Sequence, residues 1–188
     1  MLKILVIGSG AREHAIVRAI NRSPKKKEIH CLATNYNPGI AEICNNILVV
    51  NINDPDLVKN YAKEHKINFS IIGPENPLAN GIADVLSDIG IGSVGPKKNL
   101  AQIETSKSFT RNLLTEYKIP GCPKFKTFSN MDGVDEFLLS LGENYVVKYD
   151  GLAGGKGVKV AGDHLHSHEE AKSYCKELID KGGTFVIE

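Results

Sequence analysis

The chain has 188 residues, 41% hydrophobic and 24% charged, with a formal net charge of +1. That length allows one large domain or two small ones and carries enough apolar side chains for a real core. Near-neutral charge argues against a nucleic-acid-binding protein, for which a strong basic excess is expected.

Ile4 to Ile7 is a short continuous apolar run, the pattern of a strand buried on both faces. Gly8-Ser9-Gly10 then turns the chain into a helix over Arg12–Arg22, with Ala15, Ile16, Ala19 and Ile20 as its apolar positions. The basic run Lys25-Lys26-Lys27 reads as a solvated turn before a strand over Ile29–Ala33. A brief helix after Pro38 and a strand over Ile47–Val50 follow. Asn53-Asp54-Pro55 is a helix start, with a capping side chain and proline in the first turn, and Leu57, Val58, Tyr61 and Ala62 form that helix's apolar face. Phe69–Ile72 is another buried strand, ended by Gly73-Pro74. Ile82, Val85, Leu86 and Ile89 mark a helix ended by Gly90, and Ser93-Val94 is a last short strand.

Alternation of apolar strands with helices predicts an α/β, doubly wound parallel sheet over about a hundred residues. Ligands gather at the carboxyl ends of such strands, where Gly8-Ser9-Gly10 and Gly73-Pro74-Glu75 fall. Past Pro96 the pattern changes. A helix around Ser106–Tyr117 leads to Ile119-Pro120-Gly121-Cys122-Pro123, read as a rigid extended connector. A strand (Lys124–Phe128), a helix (Val134–Leu141), a glycine-rich hairpin, a helix (Glu169–Ile179) and a strand (Thr184–Ile187) then describe a small α+β unit. The expected division is 1–103, a linking helix and connector over 104–122, and 123–188. The abrupt end after an apolar strand leads us to expect a fragment.

Cys31, Cys44, Cys122 and Cys175 are scattered, form no CxxC pair and read as reduced thiols. MLKILVIG is too short for a signal peptide and is interrupted by Lys3, and no segment approaches a membrane span. The cytoplasm is the expected location.

The segment Tyr145–Val160, YVVKYDGLAGGKGVKV, holds the strongest local signal. Glycines that free the backbone N–H groups, with Lys148 and Lys156 alongside, suit a polyphosphate. A Walker A loop is excluded, since Gly157 stands where Ser or Thr is required and the context is strand–loop–strand. The competing reading is a long hairpin whose glycines serve only turn geometry. Gly8-Ser9-Gly10-Ala11-Arg12-Glu13 nearly matches a dinucleotide fingerprint, but Glu13 replaces its third glycine and no acid ends the second strand, which disfavours NAD. A small phosphate or sugar phosphate at that helix N-terminus, with Arg12 adding charge, stands beside the alternative of a plain turn. His14 is either a proton carrier or a packing residue. Glu75, on a strand-end loop stiffened by Pro74 and Pro77, is a substrate contact or an incidental acid. His164, His166 and His168 would share a face on an extended chain and could hold a metal, though a solvated turn is the simpler reading.

Taken in order, GSGAREH, GPENPL, AQIETSK over Ala101–Lys107, Ile119-Pro120 and VVKYDGLAGGKGV resemble the phosphoribosylamine–glycine ligase (glycinamide ribonucleotide synthetase) family of ATP-grasp enzymes. The family usually has Gly at Ala11, Ala at Tyr149 and often Ala at Gly154, and Thr34–Ile40 departs from its usual pattern. The resemblance implies ATP-dependent joining of glycine to 5-phosphoribosylamine through a glycyl phosphate, in purine biosynthesis. It implies substrate contacts at Gly8, Gly10, Arg12, Glu13, His14 and Glu75. ATP contacts would fall at Lys107, Lys148, Asp150, Gly151, Gly154, Gly155, Lys156, Gly157 and Val158, with Glu188 beginning the adenine hinge. It places the Mg2+ or Mn2+ ligands beyond Glu188, so that this fragment would be inactive alone. Alternatives are another ATP-grasp carboxylate–amine ligase and a non-catalytic nucleotide-binding module.

Overall fold

The first apolar run of the sequence becomes the centre of a sheet. A computed structural model describes residues 1–188, which form two units, Met1–Ala101 and Gln102–Glu188. The first unit runs β1 (Leu2–Ile7), α1 (Ala11–Asn21), β2 (Lys27–Ala33), α2 (Pro38–Ala41), β3 (Asn46–Val49), α3 (Pro55–Glu64), β4 (Phe69–Ile72), α4 (Glu75–Ala79), α5 (Ile82–Ser87) and β5 (Gly92–Val94). Its five strands lie in the order β3-β2-β1-β4-β5 and every pairing is parallel.

Alternate residues of β1 serve opposite faces, as the period of a strand requires. Leu5 and Ile7 enter one core with Leu32, Val58 and Leu86, while Val6 enters the other with Val17, Cys31 and Ile40. The chain winds from β1 outward through β2 and β3, then returns to place β4 on the other side. The topological switch point therefore lies between β1 and β4, where a doubly wound sheet opens a crevice at its carboxyl edge.

Three local details differ from the sequence reading. In α1, Ala15 and Ala19 are exposed, and the residues turned inward are Val17 and the acid Glu13. Glu75 is not on a loop but is the first residue of α4, a helix the sequence pattern hid. Pro74 caps that helix and Pro77 lies in its first turn, where backbone N–H groups have no intrahelical partner and proline costs little. The third detail is α6 (Lys98–Thr105), which buries only Ala101 and so leaves almost no apolar periodicity to read.

Beyond α6 the chain continues as α7 (Lys107–Glu116), β6 (Lys126–Phe128), α8 (Val134–Leu141), β7 (Val146–Tyr149), β8 (Val158–Val160), α9 (His168–Asp180) and β9 (Phe185–Ile187). The strands form an antiparallel sheet in the order β6-β9-β7-β8. The connector before β6 is not extended throughout, because Pro120 and Gly121 form a turn, with φ of +92° at Gly121. This unit has its own core, in which Phe128 stacks on Phe185 and Leu138, Val147, Cys175 and Ile187 are fully buried. No helix is long and apolar enough to cross a membrane.

Candidate functional site

At the switch point of the first unit lies a cleft of about 300 Å³, lined by Gly8, Ser9, Gly10, Glu13, Thr34, Ile52, Asn53, Pro74, Asn76 and Pro77. The segments that follow β1 and β4, including the first turns of α1 and α4, supply most of it. Glu13 is the residue around which they are shaped. Its carboxylate accepts from the Gly10 N–H at 2.6 Å, giving half of a capping box, since Gly10 has no side chain to return the bond. A Cβ at Gly8 would lie 2.8 Å from the Glu13 side chain and from Pro74, and one at Gly73 would run into the Glu13 carboxylate. Gly8 also has φ of +118°, which disfavours any side chain. The acid that replaced the third glycine of the fingerprint thus fills space left by two other glycines.

Ser9 ties this loop to the end of β2. Its hydroxyl lies 3.1 Å from that of Thr34 and accepts from the Asn35 N–H, while its carbonyl accepts from Asn37 Nδ2 at 2.9 Å. Arg12 and Glu75 sit outside the cleft lining and pair with each other at 3.0 Å. The Arg12 hydrogen bond, helped by a backbone hydrogen bond, holds the Glu75 carboxyl below its usual range. Both side chains are exposed, so the pair adds little to stability. His14 lies against α2, where a Cβ at Gly39 would meet its imidazole.

In the second unit the glycine-rich segment spans the turn between β7 and β8, paired from Val146 opposite Val160 to Lys148 opposite Val158. Gly154 and Gly155, with φ of +55° and +78°, stand in open space, and Lys156 is exposed. The base of the hairpin is crowded instead. A Cβ at Gly151, Gly157 or Gly183 would come within 2.6–3.0 Å of Tyr149, so three glycines frame that side chain.

Asp150 collects the N-terminus of α7. It accepts from Lys107 N–H at 2.6 Å, Ser108 N–H at 3.2 Å and Ser106 Oγ at 3.1 Å, and also from Ser108 Oγ. Lys107 Nζ in turn donates to the Gly151 carbonyl at 3.0 Å, at the mouth of the hairpin. On the next turn of α7, Arg111 Nε meets Glu188 at 2.6 Å, and Lys148 meets the other oxygen of the same carboxylate. Burial opposes charge on Glu188, but the hydrogen bonds and charges of Arg111 and Lys148 outweigh it and hold the carboxyl below its ordinary range.

The structure therefore gathers Lys107, Asp150 and Gly151 in one place, and Lys148 with Glu188 in another. Sequence reasoning missed Ser106, Ser108 and Arg111. Arg111 had a signal, since it follows Lys107 by four residues and shares its helix face. Asn53, Asn76 and Thr34 in the first cleft had none. His164, His166 and His168 do not lie along one extended strand, because the chain turns through 162–164. His164 Nδ1 accepts from the Val160 N–H, and His168 packs edge-on to Tyr145 with its ring nitrogen 3.0 Å from the Gly142 carbonyl.

No three His, Cys, Asp or Glu side chains converge to hold a metal ion. Of the acids in the second unit, Asp150 is committed to α7 and Glu188 to Arg111 and Lys148. The residues present do not fit a divalent cation.

Residues 2–104 match the family model described as phosphoribosylglycinamide synthetase, N domain, and residues 105–188 match that described as phosphoribosylglycinamide synthetase, ATP-grasp (A) domain. The chain belongs to the phosphoribosylglycinamide synthetase family. Phosphoribosylamine–glycine ligase of Methanococcus maripaludis is 44% identical over 100% of this chain and 44% of its own length. That of Methanosphaera stadtmanae is 46% identical over 95% of this chain and 40% of its own. The chain thus spans less than half the length of these relatives. Among solved structures, phosphoribosylamine–glycine ligase of Thermotoga maritima superposes with a TM-score of 0.75 at 24% identity, over 100% of this chain and 43% of that one. N5-carboxyaminoimidazole synthetase of Staphylococcus aureus, solved with ADP, gives a TM-score of 0.75 at 13% identity, over 100% and 46%. At these identities the structural likeness speaks for the fold alone.

Proposed function

We propose that this chain is part of an ATP-dependent ligase that joins glycine to 5-phosphoribosylamine, giving glycinamide ribonucleotide, ADP and phosphate, in the cytoplasm. The observation that carries this reading is the succession of the two family models along the chain, each falling on a unit with a suitable site. We divide the chain into a substrate domain over 1–103, a linking helix and connector over 104–122, and the first part of an ATP-grasp domain over 123–188.

In the first unit, Gly8, Gly10, Arg12, Glu13, His14 and Glu75 are the proposed contacts for phosphoribosylamine. Supporting this, the helix N-terminus of α1 opens on a strand-end cleft, and anions are favoured at such ends. In the second unit, Lys107 and Lys148 are the proposed partners of ATP phosphates. Asp150 and the Gly151–Gly157 segment, with Lys156 and Val158, form a cover over them, and Glu188 begins the adenine contact. Supporting this, Asp150 fixes the α7 N-terminus and so places the Lys107 ammonium beside the hairpin.

The proposed chemistry starts with a glycine carboxylate oxygen attacking the γ-phosphorus of ATP and releasing ADP. The amine of phosphoribosylamine then attacks the acyl carbon and phosphate leaves. Such steps depend on positioning, neutralising charge and excluding water. Mg2+ is proposed for the whole enzyme, and no step is assigned to it through residues of this chain.

The test is phosphate release by a protein spanning the full length of the relatives, assayed with each substrate omitted in turn. Release that requires ATP, glycine and phosphoribosylamine together supports the ligase. Release that proceeds with bicarbonate or formate in place of glycine contradicts it.

A further inference from the structure

Lys148 and Tyr149 leave β7 on opposite faces, as the period of a strand requires. Lys148 meets Glu188, whereas Tyr149 joins Val147 against the core formed with α8 and α9. The tyrosine ring is gripped by its two edges. A Cβ on Gly151 would lie 2.6 Å from Cε1, and one on Gly183 would lie 2.7 Å from Cε2. Backbone therefore comes against the ring from the hairpin on one side and from the turn between α9 and β9 on the other. The two sides are unequal. Gly183 is tied to α9 by its N–H, which bonds to the Leu178 carbonyl at 2.9 Å, so that side is a fixed stop. Gly151 belongs to the hairpin, and its carbonyl accepts from Lys107 Nζ at 3.0 Å.

Backbone bonding thins out at this point. The Tyr149 N–H bonds to the Gly157 carbonyl at 2.7 Å and the Asp150 N–H to the Thr184 carbonyl at 2.9 Å. Past them the hairpin tip is closed by the Lys156 N–H on the Ala153 carbonyl at 3.0 Å, and Gly154 and Gly155 stand in open space. Exposed backbone with few packed neighbours marks a segment that opens locally at low free energy. The ring sits where the sheet ends and that segment begins.

We propose that Tyr149 is the hinge stop of the glycine-rich hairpin, a positioning residue that braces Gly151 against the α9–β9 turn and so keeps the Gly151 carbonyl on the Lys107 ammonium. Motion is then confined to the tip, residues 152–156. This rests on the reading of the hairpin as a cover over nucleotide phosphates and assigns what sets its closed position. A side chain too short to span from Gly151 to Gly183 lets the hairpin swing from its base. The closed state is then less populated, which weakens nucleotide binding in proportion, and water reaches the acyl phosphate. The brace is the ring and not the hydroxyl, so Tyr149→Phe preserves it.

The test has two readouts. The first is hydrogen exchange in the 188-residue chain, with the amides of residues 149 and 150 measured against those of Val146 and Glu188, which bond to each other at the far end of β7. In Tyr149→Ala the first two are expected to exchange about tenfold faster relative to the second two, whereas loss of a merely structural core residue speeds all four together. Should Tyr149→Ala fail to fold, Tyr149→Leu carries the test, since leucine fills the core and cannot reach both glycines. The second readout is phosphate released per glycinamide ribonucleotide by a protein spanning the full length of the relatives. Tyr149→Ala is expected to release excess phosphate and to raise the KM for ATP about tenfold, with Tyr149→Phe restoring both. Exchange at residues 149 and 150 that keeps pace with Val146 and Glu188 overturns the hinge and leaves the nucleotide reading standing. Unchanged KM and phosphate fully coupled to product in Tyr149→Ala also overturn it. A wild-type full-length protein that releases no ATP-dependent phosphate overturns the nucleotide reading on which the inference rests.

Discussion

Asp150, one residue past the end of β7, accepts a hydrogen bond from the backbone N–H of Lys107, the first residue of α7, at 2.6 Å. The first N–H groups of a helix have no intrahelical partner, and an acid placed there satisfies them and complements the helix dipole. Residues 43 positions apart are thereby locked together, and Lys107 is aimed at the hairpin. Asp150→Ala is expected to destabilise the second unit by about 1–3 kcal/mol. Hydrogen exchange should show fast amides at Lys107 and Ser108 specifically. Unchanged protection at those amides would remove Asp150 from the role of anchor.

Glu13 and Gly73 make a steric pair. Gly73→Ala places a methyl against the Glu13 carboxylate and is expected to cost about 1–3 kcal/mol through displacement of that side chain. Glu13→Ala removes the obstacle, so Gly73→Ala should cost much less in that background. Urea unfolding of the four proteins measures the coupling, and simple additivity would show that the two residues do not compete for space.

Acid should weaken the two units at different pH values. His30 is fully buried, bonded to Tyr61 and Glu28, and burial holds its pKa below the usual value despite Glu28 beside it. A depressed pKa means the unfolded chain binds the proton more readily, so this stabilising contribution is present above about pH 6.5 and is lost as pH falls. The Glu188 carboxyl is also depressed, so its contribution is present above about pH 4.3 and disappears below it. Stability measured against pH should lose its upper step in His30→Asn and its lower step in Glu188→Gln. Steps that survive in those variants would assign the titration to other groups.

Thiol reactivity separates the cysteines. Burial pushes Cys31 and Cys175 up to about 12 and Cys44 to about 11, and all four thiols are free. Since the thiolate is the nucleophile, Cys31 and Cys175 should resist alkylation near neutral pH until the chain unfolds. Mass spectrometry after timed iodoacetamide treatment reads this directly. Rapid labelling of Cys175 in the folded protein would contradict the packing of α9.

The contrast between what the sequence predicted and what it hid follows from the range of the interactions. β4 and α8 match their predicted bounds residue for residue, because apolar periodicity and flanking glycines are local signals. The parallel sheet followed from the alternation of strands and helices. Glu13 was readable as a departure from a fingerprint but not as a buried residue, since the space for it is created by Gly73, far along the chain. The Arg111–Glu188 pair spans 77 positions and leaves no local pattern. α4 was hidden because its prolines read as loop signals, although the first turn of a helix tolerates them.

The most direct test of the ligase account uses glycine labelled with 18O in its carboxyl group, in a protein spanning the full length of the relatives. Passage through a glycyl phosphate transfers one carboxyl oxygen to the released phosphate for each glycinamide ribonucleotide formed. The account predicts that stoichiometry, with loss of turnover in Lys148→Ala. Product formed with no 18O in the phosphate would contradict it.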